Sequence, residues 1–506
     1  MASGPVRDVG TGQPAAVEHH HSRPLNRAAA SQRDSLPKFR LPTPASRVQS
    51  AGQTMKAMTQ QLDPEPGRLS RRRFLQTSAA AATAVGTLGS SLPGVFAAGS
   101  DTLRVGLIGC GARGVGAAMN CVLSSPGVEI VALGDVFPDR VEAALRRLKD
   151  NTQPKEWSCS QPWRHADRVK ATPETCFSGF EAYRKVLAAG VDLVILAGPP
   201  HFRPEHLKAA VEAGKHVFME KPVAVDPVGI RSVLASSELA RQKGLAIVAG
   251  TQRRHQASYI EVMKRIRDGA IGQVLAGEAF WNGPCVRTYG FYHERQPGWS
   301  DMEYMLRNWY FYCWLSGDHI VEQHVHNLDV INWAMGSPPV EALAVGGRQW
   351  RVEPEFGNIY DHFAVRYRYP NGAIVFSQAR QINGTESRVG ELLVGTKGRA
   401  SAGRIEGDNA WTFTGPEPNP YEQEHADLIR SIRSGQPLNE GRTVAEATLT
   451  AIIGRMSAYS GRTVRWDWAL NDSQLDLTPP EIKRDGYKLG PAPKVPPAPP
   501  GNAELI

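Results

Sequence analysis

The stretch TLRVGLIGCGARGVGAAMNCVLSSPGVEIVALGDVF, residues 102–137, restricts the fold more than any other part of the chain. An apolar run ends in Gly109-Cys110-Gly111-Ala112-Arg113-Gly114, a helical stretch follows, and a second apolar run ends at Asp135. Strand, GxGxxG turn, helix, strand and terminal acid, in that order, form a dinucleotide-binding βαβ unit. Gly109 permits the tight turn, Gly111 lets the backbone approach a pyrophosphate, and Gly114 lets helix and strand pack closely. The N–H groups of Gly111, Ala112 and Arg113 at the helix start suit the phosphates. Asp135 would accept the ribose hydroxyls, and because a carboxylate repels a 2′-phosphate, NAD is favoured over NADP.

The alternation continues through VDLVILAG (191–198), a helix, KHVFMEKP, a second helix and LAIVAGTQ. Strands separated by helices predict a doubly wound parallel sheet, with ligands at the edge where its strands end. That edge displays Pro199, Pro200, His201, Glu220 and Lys221. Pro222 then fixes the backbone after the lysine.

The formal charge is +8, but residues 1–97 carry 12 Lys/Arg against 5 Asp/Glu, so almost all of the excess lies in the leader. The remainder is close to neutral, which argues against a nucleic-acid partner. Within the leader, SRRRFLQ (70–76), a modest Ala/Thr/Ser/Leu run and small residues near Ala97 predict a twin-arginine export signal. The run is short and Gly-broken, so no stable membrane span is expected after cleavage. Residues 1–54 lack periodicity and are expected to be disordered, with a true start near Met55 or Met58 and a mature chain from about Ala98. The expected location is the periplasm or another exported compartment. The six cysteines show no CxxC spacing; after export Cys159 and Cys176, which bracket a hydrophilic insertion, could pair.

A second informative stretch is SGDHIVEQHVHNLDVINWAMG, residues 316–336. It reads as one helix, with Ser316 or Asp318 as N-cap and Gly336 as terminator. Ile320, Val321, Val325, Leu328, Ile331 and Met335 share one side with His324, which reads as a packed histidine. Asp318, His319, Glu322, His326 and Asp329 share the other side and are candidates for a cleft. His319 and His326 stand two turns apart, about 10 Å along a helix, too far to bind one metal ion together. No metal site is expected. Glu322 and His326 are spaced i, i+4, so the carboxylate could orient an imidazole that accepts a hydroxyl proton.

GCGARG, GKHVFMEKP and HNLDVINW, in this order and spacing, resemble the glucose-fructose oxidoreductase, inositol dehydrogenase and MocA (Gfo/Idh/MocA) family over residues 102–465. The resemblance implies that Lys221 lies beside the nicotinamide and contacts a substrate hydroxyl, and that His326 is the catalytic histidine. It also implies a C-terminal α/β domain on a large, mostly antiparallel sheet, and a dimer or tetramer. Two positions depart from the pattern: Glu322 stands where an aspartate is usual, and Arg203 where a histidine often follows a Thr-Pro-Asn turn.

The expected organisation is a leader (1–97), an N-terminal Rossmann domain (98–252), a substrate and oligomerisation domain (253–470) and a Pro-rich tail (471–506). GPAPKVPPAPP in that tail reads as extended, able to wrap a neighbouring subunit. The expected activity is an exported NAD-dependent oxidoreductase with tightly bound cofactor, acting on a secondary hydroxyl of a sugar, cyclitol or glycoside. Its catalytic residues would be Lys221, His326 and Glu322. A redox-neutral NAD-dependent glycosidase is the alternative, and a non-catalytic dinucleotide-binding protein a further one.

Overall fold

The computed structural model describes residues 102–286 and 292–495; the leader and its twin-arginine motif lie outside them. Six parallel strands, β1 (Leu103–Ile108), β2 (Val128–Asp135), β3 (Cys176–Ser178), β4 (Leu193–Leu196), β5 (His216–Met219) and β6 (Ile247–Ala249), form one sheet in the order 3-2-1-4-5-6. Its central strands are buried on both faces, which is why β4 and β5 are continuously buried rather than alternating. Helices α1 (Ala112–Ser124), α2 (Pro138–Leu148), α3 (Ala182–Ala188), α4 (Arg203–Glu212) and α5 (Pro227–Gln242) connect the strands. This is the Rossmann arrangement, with its ligand crevice at the β1/β4 switch point. The insertion before β3 is anchored by Trp163, which is 1 % exposed and donates its indole N–H to the Leu148 carbonyl at 2.7 Å.

After α6 (Ala257–Arg267), the chain builds a nine-stranded sheet. It comprises β7 (Val274–Gly283), β8 (Glu341–Gly347), β9 (His362–Arg368), β10 (Ile374–Gln381), β11 (Arg388–Gly395), β12 (Gly398–Ser401), β13 (Arg404–Gly407), β14 (Trp411–Thr412) and β15 (Val464–Arg465). All pairings are antiparallel except β7 with β10. In β9, buried Phe363, Val365 and Tyr367 alternate with more exposed neighbours, so one face packs on helices and the other is open.

The boundary at residue 252 is a boundary in sequence but not in space. Helix Pro420–Arg433 packs on α1, and its Leu428, Ile429 and Ile432 join the apolar cluster of Val105, Phe218 and Val248. Arg455, in helix Gly441–Ser460, is 1 % exposed and donates to the carbonyls of Val225 and Gly317 at 2.7 and 2.9 Å, tying the halves together. The described part of the tail packs on its own chain. Leu477, Ile482, Tyr487, Ala492 and Val495 pack on Phe137, Phe202 and Met302 of their own chain. All six cysteines are free thiols, so the Cys159–Cys176 pair is not formed. Among the described residues, no helix is long and apolar enough to cross a membrane.

Candidate active site

Gly109 has φ +98°, and a Cβ there would lie 2.4 Å from the Gly198 nitrogen. A Cβ on Gly114 would lie 1.9 Å from the Gly109 carbonyl oxygen, so this position must be bare for α1 to approach β1. Gly111 is different: a Cβ would meet nothing nearer than the Arg140 guanidinium at 3.9 Å. It opens onto a cavity of about 350 Å³ that Gly109, Gly111, Ala112, Arg113, Gly114, Asp135 and Pro199 help to line. Asp135 is fixed at its rim, accepting the backbone N–H groups of Cys110 at 2.7 Å and Phe137 at 3.0 Å. A carboxylate has about four acceptor positions, so two remain for vicinal hydroxyls. A bare glycine cradle at a helix N-terminus, with a positioned acid across the cavity, fits a dinucleotide.

Three residues of the same edge face elsewhere. Pro200 is buried and outside the cavity lining, and His201 turns to Tyr487, with Nε2 2.7 Å from its hydroxyl. Glu220 accepts from Arg113 Nε at 2.5 Å, and the Arg113 guanidinium lies 5.3 Å from the Tyr421 ring centre. Glu220 therefore braces the glycine loop from beneath and does not line the cavity.

Lys221 follows β5 through a cis peptide bond to Pro222. Its ammonium donates to the Glu322 carbonyl at 2.6 Å and to Glu322 Oε1 at 3.1 Å. Below this turn Arg203, 3 % exposed, donates to the carbonyls of Pro222 and Gly198, clamping the lysine turn to the β4 loop. Burial lowers the Arg203 guanidinium to about 10, against the opposing charges of Glu220 and Glu322.

The 316–336 stretch is not one helix. After α7 (Asp301–Arg307), it comprises α8 (His319–Glu322) and α9 (Val325–Met335), broken at Gln323 and His324. The break redirects Glu322 to Lys221, and no hydrogen bond joins Glu322 to His326, contrary to the i, i+4 expectation. His326 instead stacks on Trp281, ring centres 5.8 Å apart and planes at 20°. Its Nδ1 is buried without a hydrogen-bond partner. Burial, then the positive charges of Lys221, Arg253 and Arg113, hold the imidazole well below its ordinary value, so it is neutral. Lys221 is near enough for its charge to act on His326, and an ammonium with a neutral imidazole can together hold a hydroxyl oxygen and receive its proton, although neither residue lines the cavity.

The other polar residues of the stretch do not join them. Asp318 caps α8 and accepts from Tyr360 N at 2.8 Å and Tyr459 Oη at 2.6 Å. His319 is buried against Phe363, Asp329 binds Arg254 Nε at 2.8 Å, and His324 meets Ser377 Oγ at 2.6 Å. Among the described residues no cluster of His, Cys, Asp and Glu could hold a metal ion. Sequence reasoning did not single out Trp281, in the strand stretch QVLAGEAFWNG, or Arg307, which lines the cavity with His293, Leu306 and Trp309.

Residues 103–251 match the model of an oxidoreductase family with an NAD-binding Rossmann fold, and residues 259–401 that of the GFO/IDH/MocA C-terminal domain. The chain is similar to 2,7-anhydro-N-acetylneuraminate hydratase of Escherichia coli, 27 % identical over 41 % of this chain and 50 % of that protein. It is also similar to inositol 2-dehydrogenase 3 of Saccharopolyspora erythraea, 27 % identical over 54 % and 64 %. The match thus spans half to somewhat under two thirds of these relatives. In fold, it resembles Lactobacillus casei scyllo-inositol dehydrogenase with bound NAD(H) and scyllo-inositol, at TM-score 0.54 and 18 % identity, over 72 % of this chain and 99 % of that one. With an NAD-binding Rossmann domain, the EKP turn carrying Lys221, and a C-terminal domain of the matching type, the chain belongs to the Gfo/Idh/MocA oxidoreductase family.

Proposed function

We propose that this protein is an exported NAD-dependent oxidoreductase that acts on a secondary hydroxyl of a sugar, cyclitol or glycoside and keeps its cofactor. The reading is supported by the cavity that the glycine loop and Asp135 line, together with a Lys221 close enough for its charge to act on the neutral His326. Bound NAD supplies the hydride acceptor. Lys221, held by Glu322, presents an ammonium to the substrate oxygen, and the neutral imidazole of His326 receives the hydroxyl proton. Trp281 fixes the imidazole plane from one side. Export rests on the paired arginines of the leader, and retention of the cofactor follows from it, because free NAD is not expected outside the cytoplasm.

A redox-neutral cycle, in which a sugar hydroxyl is oxidised, the acidified neighbouring carbon eliminates, and the hydride returns, is the second reading. A relative named as a hydratase, whose net reaction is redox-neutral, favours keeping it. A homo-oligomer is supported by Leu343, Val345 and Phe376, which are 43 %, 70 % and 57 % exposed on strands β8 and β10.

The test is to purify the exported chain without added nucleotide, denature it and identify what is released by mass spectrometry, then screen cyclitols and glycosides. Co-purified NAD with substrate-dependent absorbance at 340 nm supports net oxidation, and aglycone release without that change supports the redox-neutral cycle. An intact chain that neither retains nor binds NAD would overturn the proposal.

A further inference from the structure

The cofactor cavity is roofed by residues that the Rossmann domain does not supply. Leu306, Arg307 and Trp309 line it, and Arg307 lies in helix Asp301–Arg307 of the second domain. Its guanidinium forms a two-pronged ion pair with Asp139, 3.0 and 2.8 Å, in the first turn of α2. It also accepts the fit of the Phe137 ring, 4.0 Å from the ring centre, and donates to Glu303 at 2.9 Å. Phe137 follows Asp135 by two residues, so this clasp closes directly over the wall that carries the ribose acid.

The tail forms a second layer over the first. The Met302 N–H donates to the Gly490 carbonyl at 3.0 Å, tying the tail to the roofing helix. Tyr487 stacks on Phe180, ring centres 5.4 Å apart, packs at 5.1 Å on Phe202, and meets His201 Nε2 at 2.7 Å. Phe180 and Phe202 themselves line the cavity. One strap thus contacts the roof and the Rossmann loops together.

The geometry points to an intramolecular cofactor clasp: the Arg307–Asp139 pair and the 477–495 strap hold NAD in place by closing its exit. The inference rests on the NAD-dependent reading above and deepens it by naming what slows cofactor release. An ion pair whose arginine is 10 % exposed and whose aspartate is 62 % exposed contributes modestly alone. The strap's aromatic packing adds to it, and such covers act mainly on the dissociation rate.

The experiment loads full-length protein with NADH, dilutes it into excess NAD, and follows loss of bound NADH fluorescence for the wild type, Asp139→Ala, Tyr487→Ala and the double variant. Neither substituted side chain lines the cavity. Release should be roughly threefold to tenfold faster in each single variant and faster still in the double variant. Turnover of the double variant should fall at low NAD and recover when NAD is saturating. Near-ultraviolet circular dichroism establishes that each variant is folded; if Tyr487→Ala is not, Tyr487→Leu, which keeps the apolar contact area, and Asp139→Ala carry the test. Folded variants that release NADH at the wild-type rate would overturn the clasp while leaving the enzyme reading intact. A wild type that does not bind NADH at all would sink both.

Discussion

At the scale of single residues, three glycines with the same sequence signature have different physical duties, and substitution separates them. Gly114→Ala would place a methyl 1.9 Å from a backbone oxygen, so it should destabilise the β1–α1 unit and lower the unfolding midpoint. Gly111→Ala adds its methyl to open cavity, so the fold should keep its stability while NAD binding weakens by roughly tenfold or more, read by NADH fluorescence titration. Equal effects on stability would contradict this division. Lys221→Ala and His326→Ala should each lower kcat by roughly 10² to 10⁴ with NAD still bound, the range for positioned proton-transfer groups. Wild-type turnover in either variant would remove that residue from the mechanism. The glycine loop and Asp135, which line one cavity, were legible because each is tied to a local motif, whereas Lys221 and His326 took their roles from the family resemblance. The partner of Glu322 was not legible: Lys221 lies 101 residues away in the chain, and helical spacing pointed to His326 instead.

At the scale of elements, the instructive case is the broken helix before His326. Periodicity over 316–336 supports a single helix, because hydrophobic spacing survives a short interruption that keeps the mean direction. What breaks it is set by tertiary partners. Asp318 adopts φ +74°, the left-handed region that a non-glycine residue rarely enters. Its carboxylate holds that geometry through the N–H of His319 at 2.5 Å, the N–H of Tyr360 and the hydroxyl of Tyr459. Asp318→Ala loses all three bonds, leaves buried donors unmatched and keeps the backbone cost, so it should destabilise by about 3–5 kcal/mol. Asp318→Gly relieves only the backbone and should fall between, and Asp318→Asn, which keeps a side-chain acceptor for these donors, should cost least. Chemical denaturation of the three variants checks the order Asn, Gly, Ala. Because α8 delivers Glu322 to Lys221, the same series should lower kcat in that order, and an Ala variant with full activity would show that the break does not position the site.

At the scale of the whole molecule, the doubly wound parallel sheet was readable from the chain because strands such as β4 and β5 are continuous apolar runs between helices, whereas the short, half-buried β3 beyond the insertion was not. The tail was not: proline-rich composition describes a segment without periodicity, and says nothing about which surface it covers. Charge placement was equally hidden, and it bears on how the molecule responds to acid. His216, His319, His324, His326 and His425 are all buried. Burial holds His216 at about 4 and His324 at about 3, and drives His319, His326 and His425 well below the ordinary value. His216 also accepts the Ala246 N–H on Nδ1 at 3.0 Å, a bond that a proton there would abolish. An unfolded histidine titrates near 6.5, so below that pH the unfolded chain takes up protons that the native chain excludes, at up to about 1.4 kcal/mol per pH unit for each group. This stabilisation is complete above about pH 6.5 and is lost as pH falls toward the lowered native values. His255 runs the other way: burial acts to lower it, but its ion pairs with Asp427 and Glu440 prevail and raise it to about 10. Its contribution is full below about pH 6.5 and fades as pH climbs toward 10, so it opposes these five and also His201 and His206, which burial lowers to about 4 and about 3. The free energy of urea unfolding should therefore fall by several kcal/mol between pH 7 and pH 5, with the proton uptake on unfolding exceeding one. A stability that stays level across that interval would mean that these histidines are solvated or paired in the native molecule, and that the neutral imidazole assigned to His326 needs another origin.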